Sequence, residues 1–251
     1  MRATVNKIGK RYFGQKDLEL NYRKVRGAHE KVFYYDAIPA AKDGESDAQY
    51  RTRVEPRKKL HDKIASQERY HVYEGDSRVR RKEIQQKKVD IMIAVDMLTH
   101  TVRGNMNQCT LIASDLDFKP LVDALVQEGM FVRLMYPPLD TAVELYSSAD
   151  ERIPLTIRSV YPWLENSLQA QMRPPSWSLE SKVDFEGGDQ LAQLDHPHLG
   201  QVRLFKKGDA YSAVWDDLEW VGSYLRVSNP DYGILRNALK EHYLLDIPEK
   251  L

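Results

Sequence analysis

Residues 88–136 alternate helical and strand periodicity through four successive segments, and that alternation leaves few folds open to the chain. In Val89-Asp-Ile-Met-Ile-Ala-Val-Asp-Met-Leu-Thr-His, the residues Ile91, Val95 and Leu98 are spaced by four and three. This predicts a helix over 89–103 that buries that face. Gly104 follows as a residue suited to a left-handed cap. Cys109–Ser114 reads as a short buried strand, and Phe118–Glu128 as a helix with Leu121, Leu125 and Val126 inward. Phe131–Tyr136 is a second strand, stopped by Pro137-Pro138. Helix, strand, helix and strand of these lengths predict an α/β fold with a doubly wound parallel sheet.

The flanking sequence is read around that core. Val5, Ile8 and Tyr12 stand at helical spacing, and the aromatic run Lys31–Ile38 is a strand ended by Pro39. Residues 40–50 read as a polar loop, 55–66 as a charged helix on Leu60 and Ile64, and Tyr70–Glu74 as a strand before Gly75. One or two helices are expected in 141–170, then a proline-rich linker at 171–178 around Arg173-Pro-Pro-Ser176. Gln201–Lys207 and Ala210–Trp215 flank Gly208-Asp209 as a hairpin, with a third strand expected at 218–225. Asn229-Pro230 reads as cap and first position of a last helix carrying Ile234, Leu235 and Leu239. The expected division is an α/β domain over 1–170, the linker, and a small α+β module over 179–251.

Charge is distributed unevenly. Residues 1–104 hold 24 Lys/Arg against 15 Asp/Glu, and the remainder 13 against 22, so a net charge of zero conceals +9 and −9. A basic half beside an acidic one suits a polyanion-binding surface, although many of these charges also simply solvate helices. Arg80, Arg81, Lys87, Lys88 and Arg103 are the candidate phosphate contacts, but the segment has no interleaved aromatics to stack bases. No apolar run is long enough to span a bilayer. Cys109 is the single cysteine, which excludes an internal disulfide and suits a buried core position in a reducing cytoplasm.

Chemistry is expected where strand 109–114 ends. In a doubly wound sheet, ligands sit outside the carboxyl ends of the strands, and Asp115 and Asp117 lie there. Two carboxylates on one turn repel, and a magnesium or manganese ion with oxygen ligands relieves them. Such an ion can activate water against a phosphodiester. The competing reading is that one of the pair only caps the next helix. Asp96 flanks the inward face of helix 89–103, and Asp90 lies about 120° away around it, nearer the N-terminus. His100, one turn after Asp96, is a lesser candidate for a ligand or base. His196-Pro-His198 reads as a loop, and Trp215, Trp220 and Tyr224 as core aromatics or base-stacking rings.

These residues carry a resemblance. Lys88-Val-Asp90, Asp96, and Ala-Ser-Asp115-Leu-Asp117-Phe118-x-Pro120-Leu121 together resemble the NYN-domain family of PIN-like ribonucleases, of the LabA type. The resemblance runs over about residues 30–150. It implies a Rossmann-like, PIN-like three-layer parallel sheet and Mg²⁺- or Mn²⁺-dependent cleavage of RNA. It also implies that Asp96, Asp115 and Asp117 are the catalytic and metal-binding residues, with Asp90 as a weaker candidate. The family opens on a strand ending in Asp-Gly-x-Asn, whereas Met1–Asn6 reads like the helix that follows that motif. Asp36 is out of order to replace it. The expectation is an upstream start, adding about ten to fifteen residues for one strand and its turn. The alternative is a catalytically impaired RNA-binding or regulatory protein. The module over 179–251 is expected to select substrate or to meet a protein partner or a second copy. A small-molecule phosphohydrolase is less favoured, for want of a phosphate-cradling glycine loop.

Overall fold

The structure, a computed structural model, describes residues 1–15, 17–75 and 82–249, without the side chains of 82–87. In chain order it begins with α1 (Arg2–Phe13), α2 (Tyr22–Arg26), β1 (Val32–Ala37), α3 (Asp47–Ala65) and β2 (Tyr70–Gly75). There follow α4 (Lys82–Val102), β3 (Gln108–Ile112), a 3₁₀ turn (Leu116–Phe118), α5 (Lys119–Gln127) and β4 (Phe131–Tyr136). Short elements come next: α6 (Val143–Tyr146), β5 (Glu151–Pro154), α7 (Ile157–Val160) and α8 (Asn166–Gln171). Strands β6 (Ser176–Ser181), β7 (Asp189–His196), β8 (Gly200–Lys207), β9 (Ala210–Asp216) and β10 (Ser223–Asn229) precede α9 (Tyr232–Tyr243).

Two compact units result, one of Leu20–Tyr136 and Thr141–Ile153, the other of Met1–Glu19, Pro137–Asp140 and Pro154–Leu251. The first is the α/β unit. Its strands form two separate ladders, β1–β2 and β3–β4–β5, with β1–β2 and β3–β4 both parallel. Val122, Leu125, Val132, Leu134 and Leu145 make its core with no more than traces of exposure. Each such side chain contributes roughly 1.5–3 kcal/mol through burial.

The helix over 89–103 is present, but it turns a different face inward. Ile91 is 62% and Val95 55% exposed. Of the expected face only Leu98 meets the core, together with Ile93, Ala94 and Met97. The segment is apolar almost all round, so two faces satisfy a 3.6-residue period and spacing alone does not choose between them.

Other boundaries shift for local reasons. The polar stretch 40–50 already holds the start of α3, because Ser46 and Gln49 form a reciprocal capping box. Residues 217–222 are a turn rather than strand. Asp217 Oδ1 accepts the amides of Glu219 and Trp220, both at 2.8 Å, and pairing with β9 resumes only at Tyr224. Asp231, not Asn229, caps α9, accepting from the Ile234 amide at 3.0 Å. Asn229 instead accepts from the Asp231 amide.

The second unit holds an antiparallel sheet in the order β6–β10–β9–β8–β7, with α9 on one face. The hairpin β8–β9 turns where Gly208 takes φ 58°, as the Gly-Asp pair predicts. The expected division at 171–178 does not match this partition. Ser176–Ser181 is an edge strand paired with β10, and 1–19 and 154–170 belong with the antiparallel sheet. A proline pair just before an edge strand interrupts no ladder, so it marks no boundary by itself. Within this unit α1 is tied to α9 by buried polar contacts, which composition does not reveal. Tyr12 donates to Glu241 at 2.6 Å, and Asn237 donates to the Arg11 carbonyl at 2.8 Å. Among the described residues, no helix is long and apolar enough to cross a membrane.

Candidate active site

Helix α4 runs antiparallel to β1 and β2. Its Val89 lies against Gly75 at the end of β2, while its His100 packs in a tilted arrangement on Phe33 near the start of β1, with ring centroids 5.3 Å apart. Asp90 therefore stands at the carboxyl-end side of these strands.

Asp115 and Asp117 stand in the equivalent place after β3. Asp115 Oδ1 accepts the Asp117 amide at 3.1 Å, capping the 3₁₀ turn that leads into α5. Capping is thus real for Asp115, and it commits one carboxylate oxygen. Burial first, then the charges of Asp115 and Asp117, push the Asp90 carboxyl above its ordinary range. That coupling places three carboxylates in one field. Among the described residues, none of the three has an ion-pair partner.

Asp96 lies on a different side of α4. It accepts from Tyr35 Oη at 2.8 Å, and burial together with this bond raises the Tyr35 phenol. The acidic residues coupled to one another are therefore Asp90, Asp115 and Asp117, with Asp96 of α4 engaged instead by Tyr35 of β1. Asp36 is engaged on the opposite face of β1. His61 bridges it and Glu74, at 3.0 and 2.7 Å, and Arg57 donates to it at 2.8 Å.

Oxygen donors without a cationic neighbour suit a hard divalent cation. Among the described residues, however, no three acidic, histidine or cysteine side chains converge closely enough to hold a metal ion. The donor chemistry matches the expected ion, and the spacing as it stands does not close around it.

The remaining candidates disperse. Lys88 on α4 and Arg103 just beyond its end are both exposed. Arg80, Arg81 and the Lys87 side chain lie outside the described residues. His100 packs on Phe33 and shares Nδ1 with the Asn105 amide at 3.2 Å. Burial pushes the half-buried Cys109 thiol up to about 11, which suits packing rather than nucleophilic attack. Trp215 is core, and Tyr224 lies beneath the Arg203 guanidinium at 4.6 Å. Trp220 is 64% exposed.

The repulsion has a measurable consequence. Asp90→Asn is expected to raise the melting temperature at neutral pH, because it removes a charge that burial and the carboxylates of Asp115 and Asp117 disfavour. A group raised on folding contributes stability below its unfolded pKa and loses it as pH rises through the folded value. The advantage of the variant should therefore vanish at about pH 3.5, below both values. Identical melting at neutral pH would show that the three carboxylates do not oppose one another.

Comparison with known proteins identifies the family. The model of the NYN domain matches residues 10–156. A search of curated proteins gives no match. A crystal structure of a protein of unknown function, VPA0982 from Vibrio parahaemolyticus RIMD 2210633, is similar at 16% identity, with a TM-score of 0.45. That similarity covers 65% of this chain and 91% of the other. With more than half of its length matched by the family model, the chain belongs to the NYN-domain family.

Proposed function

We propose that this chain is a metal-dependent endoribonuclease cutting RNA phosphodiesters at the acidic group beyond β3. The observation that carries the reading is the unrelieved field of Asp90, Asp115 and Asp117, set at the carboxyl ends of parallel strands in an NYN-family chain. Asp115 and Asp117, with Asp90 or Asp96 from α4, are the oxygen donors toward Mg²⁺ or Mn²⁺. Such an ion, when bound, supplies an activated water and neutralises phosphate charge. The chain's own residues orient the site. The Asp115 cap fixes the turn, and Tyr35 holds the Asp96 side chain against β1. The two parallel ladders are proposed as parts of one PIN-like, three-layer core, and the unit with the antiparallel sheet as the selector of substrate or partner.

A second reading, an RNA-binding regulator without turnover, is favoured by the lack of three converging ligands among the described residues. End-labelled single-stranded RNA incubated with the protein and Mn²⁺ separates the two. The nuclease reading expects internal cuts that EDTA suppresses. RNA retained intact, with binding that weakens steeply as salt rises, supports the regulator.

A further inference from the structure

The face of β1–β2 turned toward α4 is built of rings. The register pairs Phe33 with His71 and Tyr35 with Tyr73. Alternation along a strand puts all four on one side of the ladder. Phe33 and His71 stack with centroids 5.4 Å apart and planes 26° apart, and Tyr35 and Tyr73 at 5.2 Å and 16°. The inner pair is engaged by the helix, through His100 on Phe33 and Asp96 on Tyr35. The outer pair is not enclosed. His71 is exposed and Tyr73 is 37% exposed, and among the described residues β2 has no strand on its other edge.

Two cations complete the arrangement. Lys31 and Arg69, at the starts of the same two strands, line an open cleft with Glu30 and His71. Among the described residues neither side chain has an ion pair or hydrogen bond. Arg69 also holds φ at 70°, a left-handed conformation that a non-glycine residue rarely adopts. A row of exposed rings backed by packed ones, with free cations at one end, matches the stacking and phosphate contacts of a single nucleic-acid strand.

We propose that this face is a single-stranded RNA platform, an inference that rests on the ribonuclease reading above. Bases stack on His71 and Tyr73, which stand about 6.6 Å apart along the strand by the usual rise. Phosphates meet Lys31 and Arg69. Because α4 carries Val89 and Asp90 to the far end of these strands, the platform leads from the cations toward the acidic group. RNA lying along β2 thus enters the site unpaired.

Equilibrium binding of a labelled oligouridylate to the full chain in EDTA tests this without cleavage. Tyr73→Ala is expected to weaken binding about tenfold, and Tyr73→Phe, which keeps the ring, by less than about twofold. The double variant Lys31→Ala/Arg69→Ala is expected to flatten the salt dependence by about 1.4 in log–log slope, the share of two phosphates on a single strand. Both side chains are exposed, so that variant remains informative should Tyr73→Ala unfold. Unchanged affinity and slope in the double variant overturn the platform, as does tighter binding of a duplex than of the single strand. The two readings fail separately. Cleavage with Mn²⁺ by variants that bind like wild type leaves the ribonuclease and removes the platform. The expected binding losses without any cleavage keep the platform and remove the ribonuclease.

Discussion

Asp117→Asn is expected to lower Mn²⁺-dependent RNA cleavage by about a hundredfold or more, equivalent to about 2.7 kcal/mol of barrier. Asparagine keeps the size of the side chain and removes the charge. Asp117 is the cleaner of the two positions after β3. Its own amide donates to Asp115, so the backbone of the turn is held whichever side chain Asp117 carries. Asp115→Asn should lose as much activity while still capping, because an asparagine oxygen accepts from the same amide. Affinity for RNA in EDTA should stay within about twofold, since neither carboxylate attracts phosphate in the absence of a cation. The measurement is the initial rate of cleavage at saturating Mn²⁺, normalised to active protein by melting profiles. Equal rates for wild type and both variants would assign the cutting to a contaminant and end the ribonuclease reading.

The parts of the molecule legible in the sequence are those fixed by short-range chemistry. Phe131–Tyr136 is strand because an alternating, β-branched and aromatic run meets Pro137-Pro138, and β4 has those bounds. Asp115 could be read as a cap, and it is one. Which acidic residue of α4 joins Asp115 was not legible. Both Asp90 and Asp96 lie on a helix that is apolar nearly all round, and only packing selects the buried side. Tyr35 takes Asp96, and the strand ends take Val89, which leaves Asp90 facing the turn. The rings of β1 and β2 were hidden for another reason. Phe33, Tyr35, His71 and Tyr73 are two short alternating patterns far apart in sequence, and they form one surface only through a parallel register. A signal was available in the alternation of ring and non-ring residues in both segments. The separation of the chain into its two units was also out of reach, because Tyr12 and Glu241 are joined across 229 positions.

That long-range contact carries the largest expected change in stability. Glu241 of α9 is buried, and its carboxylate accepts from Tyr12 Oη at 2.6 Å, from Arg11 Nη1 at 3.0 Å and from the Ile157 amide at 3.2 Å. Glu241→Ala removes one acceptor from three donors on α1 and α7, with a buried hydroxyl and a buried amide among them. Breaking a buried charged network in this way typically costs about 3–5 kcal/mol. For a chain of this size that is a fall of roughly 10 °C in melting temperature. Glu241→Gln should lose less, because its amide oxygen still accepts. The pH dependence separates charge from shape. Burial outweighs the three donors and raises the Glu241 carboxyl above its ordinary range. A group raised on folding contributes stability that is fully present below its unfolded pKa, about 4.3 for glutamate, and is lost as pH rises through the higher folded value. Wild-type stability should therefore decline across that window, and the Gln variant should lack the decline because it does not titrate. Melting curves across the acid range measure this directly. A wild-type profile parallel to that of Glu241→Gln would mean that Glu241 is ionised as readily in the fold as in the unfolded chain, and that its three donors offset the whole cost of burial.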